Sequence, residues 1–239
     1  MMTSLPEGYH ALVIGASGAI GSAFMHHLQA DPRCAGVRGL HRRSQPAIDF
    51  DDEASIEAAA ATLGPGPALH LLIVATGVLH APASDDRVEL VPEKRLGQLN
   101  SSSLEAMFRI NTFGPALVLR HFAPLLHKQQ RSLLAVLSAK VGSIEDNRLG
   151  GWYGYRASKA ALNMLLRTAA IELRRTHPAA SLVALHPGTV KSALSRPFRG
   201  DEIGREPALA AAQMLQALEG VSEQESGVFL AYDGQRLPW

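Results

Sequence analysis

A single cysteine, Cys34, among 239 residues leaves no partner for an internal disulfide and excludes a thiolate metal cluster. Neither sign of charge dominates: 23 Lys and Arg face 22 Asp and Glu, a net of +1. That balance carries no electrostatic footprint for nucleic acid or an anionic membrane surface. No run of apolar residues approaches the ~18 needed for a membrane-spanning helix. The opening stretch, Met1 to His10, holds Pro6, Glu7 and Gly8 in place of a signal peptide's basic start and apolar centre. A cytoplasmic location is the default expectation. Ten histidines are present, yet they do not space as a ligand set, and His26 and His27 are adjacent on an expected helix and diverge. No metal site is expected. Ser17 and Ser158 lack a paired histidine and carboxylate, so serine-hydrolase chemistry is unsupported. Gly/Ser linkers, composition breaks and repeats are missing too, which predicts one domain over 1–239.

What is present is a regular alternation. Hydrophobic residues make up 46% and charged residues 19%, as in a soluble globular chain. Short apolar runs occur at Ala11–Ile14, Val37–Leu40, Leu69–Ala75, Leu133–Leu137, Leu182–Leu185 and Val228–Ala231, and the stretch around Ile48 supplies a seventh strand. Helical patterns fall between them, at Ala19–Gln29, Glu53–Leu63, Leu104–His127, Tyr155–Arg175 and Pro207–Leu218. Unbroken apolar strands separated by helices predict an α/β Rossmann fold, a parallel seven-stranded sheet covered on both faces. Two long connections, His80–Gln98 and Thr189–Glu206, follow strands on the side where such sheets bind ligands.

The first strand runs into Gly15-Ala16-Ser17-Gly18-Ala19-Ile20-Gly21 and then a helix. Small residues there allow a sharp turn, and the free amides and dipole of the helix start favour a pyrophosphate. A glycine cluster is a weak signal by itself, but its place at the head of a βαβ unit points to a dinucleotide. The second strand ends in Leu40-His41-Arg42-Arg43, with no acidic residue to hold ribose hydroxyls. Two guanidinium groups suit a 2′-phosphate, so NADP(H) is expected in preference to NAD(H).

Tyr155 and Lys159 stand four apart at a helix start and share a face. A phenol's ordinary pKa of about 10 is high for acid–base work at neutral pH. An ammonium about 5 Å away, at an effective dielectric near 20, would favour the phenolate by roughly 3 kcal/mol, or about two pKa units. Tyr153 has no such partner, because Ala157 stands four residues later.

Tyr155-x-x-x-Lys159 behind a nucleotide turn resembles the short-chain dehydrogenase/reductase family over nearly the whole chain. The resemblance implies a hydride exchange between nicotinamide and a carbonyl or alcohol, with Tyr155 as acid–base and Lys159 beside it. It gives Asn111, in Arg109-Ile110-Asn111-Thr112, a place in proton resupply, and it places Asp49 and Phe50 at the adenine. Ala75, Thr76 and Gly77 would line the cofactor after the fourth expected strand. Pro187, Gly188 and Val190, with Ser192 beyond them, would meet its nicotinamide end. The ending Gly227-Val228-Phe229-Leu230-Ala231-Tyr232-Asp233-Gly234, with Leu237-Pro238-Trp239, is similar to the C-factor-like branch, which implies an alternative as an NADP(H)-binding sensor or signalling protein with little turnover. The Gly-x-x-Gly-x-x-Gly spacing resembles the extended branch of epimerases, but the stretch after Pro187 is short for their substrate domain.

Three departures from the family pattern stand out. Ala19 occupies the middle glycine position, and Val74-Ala75-Thr76-Gly77 replaces the usual Asn-Asn-Ala-Gly. The substrate-orienting serine falls by register on Ala139, leaving Ser138 as the candidate with Ser143 as the alternative. A substrate wall is expected from Leu149, Trp152, Tyr153, Ala193, Leu194, Pro197 and Phe198, which suits a small apolar aldehyde or ketone. A homodimer or homotetramer through the two long helices is the family's usual assembly, and the C-factor-like resemblance leaves a monomer equally open.

Overall fold

The computed structural model describes residues 1–84 and 88–239, so the middle of the His80–Gln98 connection lies outside the described residues. Strands β1 (Tyr9–Ile14), β2 (Cys34–Leu40), β3 (Leu71–Val74), β4 (Ser132–Leu137), β5 (Ala180–His186) and β6 (Val228–Ala231) form one sheet in the order β2-β1-β3-β4-β5-β6. Every adjacent pair is parallel. The chain leaves β1 toward β2 on one side and returns as β3 on the other, which opens a crevice beyond the carboxyl ends of β1 and β3.

Seven strands were expected, and among the described residues there are six. Ile48 is buried, but its neighbourhood makes only a single antiparallel bridge, Asp49 with Asp52. The reason is length. A parallel neighbour for β2 needs a crossover of about a dozen residues or more, and the stretch from His41 to Ala47 is too short to supply one. The chain instead turns on Ser44, whose hydroxyl accepts from the His41 amide, and enters α2 (Glu53–Leu63) capped by Asp52.

Strand side chains alternate between two cores, as parallel strands buried on both faces require. Leu12, Ile14, Leu72, Val74, Leu134, Val136, Leu182 and Ala184 face α2, α4 (Gly114–Phe122) and α5 (Tyr153–Leu173), where Ile56, Val118, Phe122, Leu162 and Leu166 cover them. Ala11, Val13, Leu71, Ile73, Leu133, Ala135, Val183 and Leu185 face α1 (Ala19–Gln29) and α7 (Pro207–Glu219), through Phe24, Leu28, Ala210, Met214 and Leu218. A short α6 (Gly200–Ile203) lies in the connection between β5 and α7. No helix among the described residues is long and apolar enough to cross a membrane.

The continuous helix expected over Leu104–His127 is divided. α3 (Ser101–Phe108) gives way to a π-turn at Arg109–Phe113, α4 follows, and a 3-10 turn closes the segment at Ala123–Leu125. Pro115 accounts for the break. In a regular helix its ring would strike the carbonyl of Asn111, and it offers no N–H. Widening the turn so that Gly114 N–H donates to Arg109 removes the conflict.

Helix α1 starts so close to β1 that Gly21 admits no side chain: a Cβ there would overlap the Gly15 carbonyl. Alanine normally favours a helix by about 1 kcal/mol over glycine. Gly21→Ala is expected to reverse that sign and destabilise by about 2–4 kcal/mol, read as a lower urea midpoint at unchanged m.

Candidate functional site

The first element of the site is the turn after β1. Gly15 takes φ +87°, and a Cβ on it would lie 2.7 Å from the Ala75 carbonyl oxygen and 3.0 Å from Thr76 Cγ2. The glycine thus lets two strand exits touch, with Ala75 N–H donating to Ile14 at 2.7 Å. Gly18 caps α1 without a side-chain hydrogen bond, and no acidic residue occupies the first turn. Ala19 and Ile20 begin the helix, with Ile20 half-buried against the core. Thr76 Oγ1 is buried and has no partner. A cleft of about 650 Å³ adjoins these groups, lined by Gly15, Ser17, Gly18, His41, Arg42, Asp49, Phe50, Ala75, Thr76 and Gly77. An uncapped helix start, a glycine that must stay bare and an orphaned hydroxyl fit the pyrophosphate region of a dinucleotide.

At the rim of the cleft, Arg42 is exposed and lines it, while Arg43 lies outside the lining with its N–H on His41 Nδ1. The Asp49 carboxylate accepts from the Asp51 amide, and Phe50 lies on Gly114, where any Cβ would overlap its ring.

The second element is buried. Tyr155 and Lys159 sit one turn apart on the covered face of α5, 8% and 2% exposed. Lys159 Nζ donates to the Leu137 carbonyl at 2.9 Å, at the end of β4. Asn111 is 0% exposed. Its Oδ1 accepts from Val78 N–H at 2.8 Å, and its Nδ2 donates to the Val78 carbonyl at 2.8 Å and to Ser158 Oγ at 3.2 Å. A Cβ on Gly77 would lie 3.5 Å from Lys159 Nζ and 3.6 Å from Asn111 Oδ1. The exit of β3, the π-turn and α5 therefore converge on one point beside the cleft.

Two anchoring residues gave no sequence signal. Glu93, 5% exposed, takes the Gly154 amide on Oε2 at 3.1 Å and the Trp152 amide on its backbone carbonyl. It thereby caps α5 directly before Tyr155, a role its place in an irregular loop does not advertise. Arg205 lies over the Tyr232 ring, 3.2 Å from its centroid, and donates to the Pro187 carbonyl and to Gln213. It fixes the Pro187-Gly188 turn, in which Gly188 takes φ +66° and Val190 is buried. Ser192 is engaged with Ser195 inside its own loop.

Both serine candidates are engaged in hydrogen bonds. Ser138 Oγ donates to Asn163 Oδ1 at 2.6 Å, and Ser143 Oγ donates to the Trp239 carbonyl at 3.2 Å. Ala139 is the residue that packs with Tyr155, in a cluster with Leu79, Leu90 and Met107. Of the expected wall, Trp152, Leu194 and Phe198 join that cluster. Leu149 does not: it is 93% exposed, beside Gly150 and Gly151, both at positive φ.

A family model described as short chain dehydrogenase matches residues 9–203. The chain belongs to that family. It is 30% identical over 211 residues to a 1-hydroxy-2-glutathionyl-2-methyl-3-butene dehydrogenase of Rhodococcus sp. (strain AD45), covering 88% of this chain and 84% of that one. It is 34% identical over 146 residues to the C-signal of Myxococcus xanthus, covering 60% and 83%. The NADPH-bound carbonyl reductase from chicken fatty liver superposes with a TM-score of 0.82 at 27% identity, over 98% of this chain and 95% of the other.

In this short-chain dehydrogenase, burial governs the central pair. It pushes the Tyr155 phenol up to about 12 and the Lys159 amine down to about 7. Removing water disfavours both charged forms, and this sets the direction of each shift. Burial likewise brings His186 down to about 4, aided by Lys140 and Arg205.

The lysine shift has a consequence for stability. Lys159 falls to about 7 in the folded chain against 10.5 unfolded, so between those values the unfolded state holds the extra proton. Stability should rise with pH across that window. Relative to Lys159→Met, the wild type is expected to gain on the order of 4 kcal/mol from pH 7 to pH 10, measured by urea unfolding.

Proposed function

We propose that the chain is an NADP(H)-dependent carbonyl reductase acting on small apolar aldehydes or ketones. The observation that carries this reading is the convergence of Lys159 Nζ and Asn111 Oδ1 on Gly77, a residue of the cleft lining, with Tyr155 buried one turn before Lys159. The NADPH-bound chicken carbonyl reductase and the Rhodococcus dehydrogenase support a carbonyl–alcohol substrate class.

Gly15, Ser17, Gly18, Ala19, Ile20 and Gly21 would hold the pyrophosphate, and Ala75, Thr76 and Gly77 would flank it. Asp49 and Phe50 would bound the adenine, with Arg42 and Arg43 toward a 2′-phosphate. Pro187, Gly188, Val190 and Ser192 would close the nicotinamide end. The nicotinamide, when bound, supplies or accepts the hydride. Tyr155 Oη donates its proton to the substrate oxygen as that oxygen gains charge. A phenol held near 12 keeps its proton at neutral pH, the form that donates when a carbonyl is reduced. Lys159 Nζ, which like Asn111 Oδ1 lies beside Gly77, returns a proton and orients the ribose side of the cleft. Trp152, Leu194 and Phe198 exclude water from the apolar end, and the 189–206 segment forms the substrate loop. Ser138 would orient the substrate oxygen only after releasing Asn163.

A second reading, a cofactor-binding protein with little turnover, is favoured by Ala139 standing against Tyr155 and by the similarity to the C-signal. The two separate on NADPH consumption with a panel of aldehydes and ketones. Under the reductase reading, Tyr155→Phe loses at least about a hundredfold in kcat while NADPH still binds. Wild type that binds NADPH tightly and turns over nothing in the panel selects the second reading.

Cofactor choice has its own test. Arg42→Ala should weaken NADPH binding about tenfold or more and leave NADH binding within about twofold, by fluorescence titration. Equal losses for both cofactors would remove Arg42 from the 2′-phosphate.

A further inference from the structure

The connection after β5 is closed at its base. Val190 and Arg205 form a parallel bridge, with Lys191 N–H on the Arg205 carbonyl at 2.9 Å and Arg205 N–H on the Thr189 carbonyl at 3.0 Å. Within it, Ser195 Oγ donates to the Val190 carbonyl at 2.5 Å. Residues 191–204 are thus a self-folded flap on a stitched base.

Beyond the base, a side chain from the body hydrogen-bonds to the flap backbone. His80, in the connection after β3, places Nε2 3.2 Å from the Ala193 carbonyl and 3.1 Å from the Leu194 carbonyl. Both partners can only accept, so Nε2 carries the hydrogen and donates to each. The same imidazole meets Phe198 edge-on with centroids 5.7 Å apart. Phe198 meets Trp152 at 4.9 Å, and Trp152 meets Tyr155 at 6.3 Å. The chain His80–Phe198–Trp152 roofs the apolar space over Tyr155.

We propose that His80 is a positioning residue that holds the 191–204 flap against the body and so limits the length of the carbonyl substrate. The proposal rests on Tyr155 marking the reacting end, but the closure itself is testable without turnover. His80→Phe keeps an aromatic ring against Phe198 and loses the donor, whereas His80→Gln keeps a donor at a similar reach.

Limited trypsin digestion of the whole protein reads flap opening at the Arg199–Gly200 bond, away from the bridged Lys191 at the base; the Arg196 bond is blocked by Pro197. Losing the shared hydrogen bond should speed that cut about fivefold to tenfold in His80→Phe, and His80→Gln should stay within about threefold of wild type. A wild-type rate in His80→Phe overturns the proposal. So does cutting spread over many sites, which marks global rather than flap opening. In turnover with a series of straight-chain aldehydes and NADPH, His80→Phe should raise KM for the short members severalfold and narrow the gap to the long ones. Faster cutting with an unchanged length preference overturns the specificity role. If Tyr155→Phe keeps full turnover, the catalytic reading fails instead, and the cleavage result still decides the latch.

Discussion

The carboxamide of Asn111 ties the site together. It is fully buried, and a buried amide is costly unless each of its polar atoms finds a partner. Here Oδ1 and Nδ2 take both backbone groups of Val78, and Nδ2 also reaches Ser158 on α5. Those bonds hold the exit of β3 against the helix that carries Tyr155 and Lys159. The π-turn is what aims Asn111 inward while letting α3 contact α5 and α4 cover the sheet. Moving the carboxamide would displace the Gly77 backbone, and with it the wall shared by the amine and the cleft.

Dryness is the second constraint. Leu137 supplies a carbonyl to Lys159, and the turn at Gly142 presses so close that a Cβ there would lie 2.8 Å from Lys159 Cβ. Such packing leaves little room for water, so the amine is brought down to about 7 and the phenol retains its proton at neutral pH. The same low dielectric strengthens any later interaction. A negative group admitted to the adjoining cleft would draw the amine back toward its charged form.

Most of the framework was legible because it depends on local periodicity. The bounds of α1 and α2 agree with the sequence pattern, as does β6, and the unbroken apolar strands announced burial on both faces. The Gly15–Gly21 turn and the Tyr155–Lys159 spacing are local too. What escaped depends on distant partners or on counting a crossover. The segment around Ile48 looks like a strand but has too little chain before it to lie parallel to β2. The π-turn follows from Pro115 acting on Asn111, a conflict that hydrophobic periodicity passes over. Glu93 and Arg205 are ordinary loop residues until the fold brings Gly154 to one and Pro187 to the other. Burial of the central pair is not legible in the spacing, which reveals attraction between charges and conceals their desolvation.

Trp152 shows how such long-range contacts sustain a locally unfavourable conformation. It adopts φ 52° at the start of α5, a left-handed conformation that costs a bulky residue roughly 1–2 kcal/mol. Glycine would adopt it freely, yet would lose the ring that lies between Tyr155 and Phe198. The backbone is held there by Glu93, which accepts the Trp152 amide on its carbonyl and the Gly154 amide on its carboxylate. Those two bonds hold the backbone on either side of Tyr153 and oppose its relaxation. Gly154 completes the arrangement, since a Cβ there would lie 2.9 Å from Glu93 Oε1. The strain at Trp152 therefore persists because it places an aromatic roof over Tyr155 and an unobstructed carboxylate under the same helix start, and no unstrained residue at that position does both.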